Sequence, residues 1–203
     1  QTIRLTQETE YPWSGRVRIV VNECGAGRLA LKLRIPGWAK EASVRLNLGP
    51  AAKANPSNVS NGYLELRRAW KSGDVVDLDL AIEPRLMEAN PLVEEDIGQV
   101  AVQRGPIVYC LESADMPTGV KISEVRILPD SKLRARFDSG LLGGVVVLDG
   151  KVAIQREADW SGRLYREVQS ETFITNSIQL IPYSVWQNRG PAEMSVWLPR
   201  SGS

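Results

Sequence analysis

Two apolar runs, Val100-Ala101-Val102-Gln103 and Ile107-Val108-Tyr109-Cys110-Leu111, flank Arg104-Gly105-Pro106. Branched and aromatic side chains pack well on a pleated surface, so both runs read as strand. Pro106 cannot donate to a ladder, which confines the break to a sheet edge, a bulge or a corner. Gly105 has the backbone freedom that a corner asks for. The stretch 100–112 therefore predicts one long, bent strand, buried at both ends, that opens a second domain.

The rest of the chain repeats a period of two. Ile3 and Leu5 alternate with Arg4, and Val17, Ile19 and Val21 alternate with Arg16, Arg18 and Val20. Leu29, Leu31, Leu33 and Ile35 then alternate with Ala30, Lys32 and Arg34 until Pro36-Gly37 ends the strand. This is the pattern of a strand with one face in a core. Val44 to Leu48, Tyr63 to Arg67 and Val76 to Leu80 follow, with a surface loop over 49–62 and a turn over 70–74. The Pro-containing, acidic stretch from Glu83 to Asp96 reads as a link between two sheets. Beyond it, Val120 to Leu128, Leu133 to Phe137, Val145 to Leu148, Val152 to Ile154, Ile178 to Trp186 and Met194 to Leu198 supply further strands. Asp149-Gly150 reads as a hairpin turn, since Asp-Gly favours the left-handed backbone that such turns use.

No stretch carries a helical apolar period over three turns. Short strands with turn signals between them point to an all-β fold of two tandem antiparallel β-sandwiches, jelly-roll-like. The expected domains are 1–97 and 98–203.

Composition removes several classes of function. A net charge of +1 gives no field to steer nucleic acid or an acidic membrane, and no apolar run approaches the ~20 residues of a bilayer-spanning helix. Basic residues are scattered along strands without stacking aromatics, so nucleic acid is not an expected partner. Histidine is absent, which removes Ser-His-Asp and Cys-His systems and every His-ligated metal site. The two cysteines, Cys24 and Cys110, match neither a disulfide framework nor a metal motif and read as buried thiols. The chain starts at Gln1 and has no leader pattern, so it reads as trimmed from something longer.

Two kinds of residue remain as candidates for chemistry. Glu94-Glu95-Asp96 is the densest carboxylate cluster, but adjacent acids in a linker read first as a solvated face. Among six tryptophans, Trp160 in Asp159-Trp160-Ser161-Gly162 and Trp13 after Pro12 have loop settings. Exposed aromatic faces stack on sugar rings, so these two are the carbohydrate-binding candidates. Trp13 serves equally to dock against a neighbouring domain.

Several segments resemble glycoside hydrolase family 127, whose characterised activity is β-L-arabinofuranosidase. They are Glu8 to Trp13, Leu33 to Ala39, Gly62 to Leu64 with Trp70 to Asp74, Val102 to Tyr109, Leu141 to Gly144, and Pro182-Tyr183 through Trp197-Leu198-Pro199. They run in order through nearly the whole chain. The resemblance implies the middle and C-terminal β-sandwiches of such an enzyme, without its catalytic α/α barrel. In that family the nucleophile is a barrel cysteine held on zinc by further cysteines and a glutamate. Cys24 and Cys110 do not match that set, so no catalytic residue, metal or other cofactor is expected in this chain.

The implied role is accessory: to brace the missing barrel and to help subunits pair as a homo-oligomer. A barrel-facing apolar patch bordered by Tyr11-Pro12-Trp13 would accompany it. The alternative is a carbohydrate-binding module for arabinose-containing glycans, working through loop aromatics. A third reading, a small independent enzyme using carboxylates, finds no support beyond residues 94–96. The resemblance leaves localisation open, since the family has intracellular and exported members.

Overall fold

The computed structural model describes residues 2–54, 58–155, 161–167 and 172–201. The chain divides into two compact units, Gln1–Glu83 and Pro84–Ser203. Both are all-β with antiparallel pairing, and the described helical residues form only three-residue 3-10 turns.

The first unit has a five-stranded sheet and a three-stranded sheet. Strands β1 (Ile3–Thr9), β2 (Arg16–Cys24), β3 (Arg28–Arg34), β4 (Ala42–Leu46), β5 (Ala52–Ala54), β6 (Val59–Ser60), β7 (Tyr63–Ala69) and β8 (Val75–Leu80) follow in chain order. One sheet has the order β1-β2-β8-β4-β5 and the other β3-β7-β6. Ile19, Val21, Val44, Val76, Leu78 and Leu80 from the first pack with Leu33, Leu64 and Trp70 into one core. The expected alternation holds: Val76, Leu78 and Leu80 are buried, while Asp77 faces Arg18 at 3.7 Å and Arg45 at 3.5 Å. Asp74, buried in the turn before β8, accepts the Lys71 N–H at 2.9 Å and an Asn47 side-chain N–H at 3.1 Å. Those bonds hold its carboxyl below the usual range, with the Lys71 N–H the largest cause.

The second unit contains β9 (Pro84–Met87), β10 (Gln99–Arg104), β11 (Ile107–Glu112), β12 (Val125–Ile127), β13 (Arg134–Asp138), β14 (Val145–Gln155), β15 (Phe173–Pro182), β16 (Met194–Ser195) and β17 (Trp197–Pro199). Its main sheet path is β12-β14-β15-β11-β10-β17. Ile127 bridges to Arg200, and the Ser201 N–H donates to the Ile127 carbonyl at 2.9 Å. The last strand thus returns to the first, and the path closes around one core. Val102, Tyr109, Leu111, Ile127, Leu148, Val152, Leu180 and Leu198 fill it.

Three sequence expectations are corrected here. The 100–112 stretch is not one bent strand but a tight hairpin, with Arg104 paired to Ile107 and Val102 to Tyr109. Gly105 takes φ 56°, as the first position of a two-residue hairpin loop of the II′ kind requires, and Pro106 follows without breaking a ladder bond. Asp149-Gly150 makes no turn; it lies inside the continuous strand β14, where Gly150 pairs with Ile178. A Cβ there would meet the Leu133 side chain at 2.5 Å, so the glycine serves close approach and not reversal. The division between units falls at Glu83/Pro84, ahead of 97/98, because β9 joins the second unit's sheet by pairing with β10.

Among the described residues of the second unit, two charged side chains are buried, Arg104 and Glu112. Glu112, 1% exposed, ends β11 and accepts the Gln187 N–H at 2.5 Å. The Arg189 guanidinium binds the same carboxylate through Nε at 3.1 Å and through Nη2, and reaches Asp115 at 2.8 Å. Stripping one partner from a buried pair costs about 3–5 kcal/mol, whereas an exposed pair is worth about 0–1 kcal/mol. Arg189→Met should therefore lower the second unit's stability by about 3–5 kcal/mol in urea denaturation. Arg4→Met, which removes the exposed 3.0 Å pair with Glu23, should cost less than about 1 kcal/mol. Equal effects from the two substitutions would refute the burial argument.

Candidate functional site

The first unit presents an aromatic cluster where the β1–β2 loop meets the segment after β3. Local bonds shape the loop. The Thr9 hydroxyl donates to the Arg16 carbonyl at 2.7 Å and accepts the Tyr11 N–H at 3.1 Å. The Trp13 and Ser14 N–H groups both donate to the Glu10 carbonyl, at 2.8 and 3.1 Å. The loop is then pinned to β8: the Leu80 N–H donates to the Gly15 carbonyl at 3.0 Å, and a Cβ on Gly15 would lie 1.8 Å from the Leu80 oxygen. No side chain fits at that approach.

Pro36-Gly37 ends β3 as the sequence suggests, and the Ala39 N–H donates to the Pro36 carbonyl at 3.0 Å. This turn sets Trp38 against the loop. The Tyr11 and Trp38 rings stack with centroids 6.4 Å apart and planes 26° from parallel. Tyr11 is 42% exposed, while Pro12, Trp13 and Trp38 are half-buried. Aromatic rings with one open face suit either an apolar protein surface or the C–H face of a sugar. Of the two tryptophan candidates, Trp13 lies in this loop, and Trp160 lies outside the described residues. Trp38 follows the Pro36-Gly37 strand end in the sequence, but its pairing with Tyr11 could not be read, since it joins two separate turns.

An open cleft of about 850 Å³ crosses β13, β14 and β15 in the second unit. Asp115, Asp130 and Asp149 line it together with Lys132, Arg134 and Lys151. Arg136 ties Asp149 at 2.8 Å and Asp138 at 2.9 Å, and its hydrogen bond is the largest cause that holds the Asp138 carboxyl below the usual range. The cleft offers three acids and three bases, of which Asp149 is tied to Arg136 and Asp115 to Arg189, a lining suited to hydrogen bonding. Sequence reasoning missed it because its residues come from strands widely spaced in the chain.

The remaining candidates are neither in the Tyr11–Trp38 stack nor among the residues that line the cleft. Glu94-Glu95-Asp96 forms a 3-10 turn with Glu94 and Glu95 exposed, the solvated face expected of it. Among the described residues, no group of three or more His, Cys, Asp or Glu is placed to hold a metal ion. Cys24 donates its thiol to the Trp70 carbonyl at 2.9 Å. Cys110 is buried, and its thiol is pushed up to about 12, by burial first and then by Glu112 and Asp115, against the pull of Arg189. A thiol held protonated is neither a nucleophile nor a ready metal ligand.

Comparison with known proteins gives this geometry its family. Residues 84–199 match the family described as the glycoside hydrolase family 127 C-terminal domain, and residues 1–82 match the β-L-arabinofuranosidase GH127 middle domain. The chain belongs to glycoside hydrolase family 127. It is 28% identical over 208 residues to a non-reducing end β-L-arabinofuranosidase of Bifidobacterium longum subsp. longum, covering 98% of this chain and 30% of that protein. A crystal structure of a GH127 β-L-arabinofuranosidase from Geobacillus stearothermophilus T6 superposes with a TM-score of 0.88 at 39% identity, over 98% of this chain and 30% of that one. A second solved GH127 β-arabinofuranosidase gives a TM-score of 0.81 at 32% identity, over 98% of this chain and 32% of that one. The chain thus spans about a third of the length of these relatives.

Two predictions follow from local geometry. Gly15→Ala should lower the first unit's melting temperature sharply, by the equivalent of at least about 2 kcal/mol, since backbone must move to admit the methyl. Calorimetry showing an unchanged transition would exclude the pinning role. The second concerns alkaline pH. Burial, partly opposed by Arg104, also raises the Tyr109 phenol to about 12. Cys110 and Tyr109 therefore keep their protons in the fold up to about 12, while an unfolded chain releases them from 9.0 and 10.0. Stability present below pH 9 should fall steadily as pH rises towards 12. Urea midpoints measured across that window should fall, and Cys110→Ala should flatten the first part of the slope.

Proposed function

We propose that this chain is the non-catalytic accessory region of a β-L-arabinofuranosidase-like glycoside hydrolase, and that it braces a catalytic α/α barrel. The observation that supports this most is the pair of contiguous matches, 1–82 and 84–199, to the middle and C-terminal domains of family 127. The relatives carry about two-thirds of their length outside the matched region. The Tyr11–Trp38 stack, with Tyr11 exposed and Pro12 and Trp13 next to it in the chain, is the kind of aromatic surface that docks a neighbouring domain.

A second reading changes the partner to an arabinose-containing glycan, with Trp13, in the loop that carries Tyr11, and separately Trp160 as the candidate contacts from their loop settings in the sequence. Calorimetric titration with such oligosaccharides separates the two readings. Bracing predicts no heat, and a glycan module predicts heat that Trp13→Ala or Trp160→Ala diminishes.

The direct test uses a chromogenic β-L-arabinofuranoside. The chain alone should release no chromophore. Placed as the corresponding third of the Bifidobacterium longum enzyme, it should restore the thermal stability that the catalytic portion lacks alone. Tyr11→Ala in that chimera should reduce the gain. Turnover by the isolated chain would overturn the proposal, as would a chimera no more stable than the catalytic portion.

A further inference from the structure

Strand register lays down the floor of the cleft over β13, β14 and β15. Asp149 and Lys151 are two places apart on β14 and share one face. Asp149 pairs with Arg134 of β13 on one side and Gln179 of β15 on the other, and Lys151 pairs with Ser177. The loop between β12 and β13 adds a wall. Its Ser131 hydroxyl donates to the Lys151 carbonyl at 2.9 Å, and Gly150, bare of a Cβ, lets Leu133 lie against β14. That loop brings Asp130 and Lys132 to the same opening. The volume, about 850 Å³, lies within the roughly 300–1,000 Å³ of small-molecule sites.

The charges that line the cleft are not equivalent. Arg136 holds Asp149 through Nε at 2.8 Å, and Arg189 holds Asp115 through Nη1 at 2.8 Å. Those two carboxylates already have their counter-ions. Lys132, Arg134 and Lys151 make no ion pair among the described residues, and neither does Asp130. Three exposed cations thus stand with one exposed, unanswered acid.

That mixture selects the ligand. A bare anion such as phosphate suits the cations, but Asp130 opposes it. A neutral glycan suits the hydrogen-bonding groups and leaves three cations without an anion. A sugar chain that carries carboxylates answers both. Its carboxylates accept charge-assisted hydrogen bonds from the cations, and its hydroxyls donate to Asp130 and exchange hydrogen bonds with Ser177. We propose that this cleft binds an acidic oligosaccharide through Lys132, Arg134 and Lys151. The choice of a saccharide rests on the reading of this chain as part of a glycoside hydrolase, while the site rests on its lining. Exposed charge pairs are individually weak, so the complex is reversible, with a Kd of roughly 0.1–1 mM.

Calorimetric titration of this chain with a tetramer of galacturonic acid tests the site. It needs no catalytic barrel, so a failed chimera and a failed titration are separate results. Saturable heat is expected, with an affinity that falls as salt is added. The double variant Lys132→Gln, Lys151→Gln should bind about tenfold more weakly, and Arg134→Gln alone about threefold more weakly. Circular dichroism checks that each is folded, and either variant suffices if the other is not. Lys32→Gln, which alters a lysine of the first unit 3.7 Å from Glu65, should bind within about twofold of the unaltered chain. A neutral arabinose tetramer and inorganic phosphate should each bind at least about tenfold more weakly than the acidic tetramer. Absence of saturable heat would overturn the proposal, as would equal binding of the neutral tetramer or of phosphate. So would folded cleft variants that bind as the unaltered chain does, or a Lys32→Gln loss as large as theirs, which would reduce the effect to general charge attraction.

Discussion

The carboxylate of Glu112 occupies a place where a lone charge is untenable. At 1% exposure it has lost nearly all its water, and the Gln187 N–H and the Arg189 guanidinium replace it. Both come from the segment between β15 and β16, which has little regular structure to hold it otherwise. That segment delivers the chain to β16 on β11 and to β17 on β10. The last strands of the second unit are thus set by an electrostatic requirement at the end of β11. The hydrophobic core supplies the bulk of the stability but not this direction. Asp74 does similar work in the first unit, where a buried carboxylate gathers N–H groups from Lys71 and Asn47 just before β8.

The strands themselves were largely legible because a half-buried strand writes its faces into every second residue. Val76, Leu78 and Leu80 against Asp77 and Asp79 show it, while Val145 to Leu148 read instead as a continuous apolar run, buried at every position. Glycine was the hard part. Gly105 opens a hairpin where the apolar runs suggested a continuous strand, and Gly150 continues a strand where its neighbour Asp149 suggested a hairpin. A turn glycine and a close-approach glycine look alike until the opposing group, here Leu133, is in place. The short strand β9 was hidden for a related reason, since its pairing with β10 is set by the partner and not by its own composition.

The candidate sites divide the same way. Trp13 was legible as a loop aromatic from the punctuation around it, and the exposed acids Glu94 and Glu95 from their density. The Tyr11–Trp38 stack and the cleft over β13, β14 and β15 were not, because each joins residues that only the fold brings together. Membership in family 127 gives these surfaces a context. The chain matches the middle and C-terminal domains of that family, and the stack lies in the part that matches the middle domain.

The clasp between Ile127 and the residues after β17 has a bearing on biosynthesis. Residues up to Glu83 contain every strand of the first unit, so that unit has its full complement as soon as it clears the ribosome. The second unit has no such head start. Its ring stays open until Arg200 and Ser201 emerge to meet Ile127, roughly 6 to 24 s later at ordinary elongation rates. Through that interval β10 lacks its β17 neighbour and the core lacks Leu198, so the nascent chain exposes a partly finished sheet for a chaperone to shield.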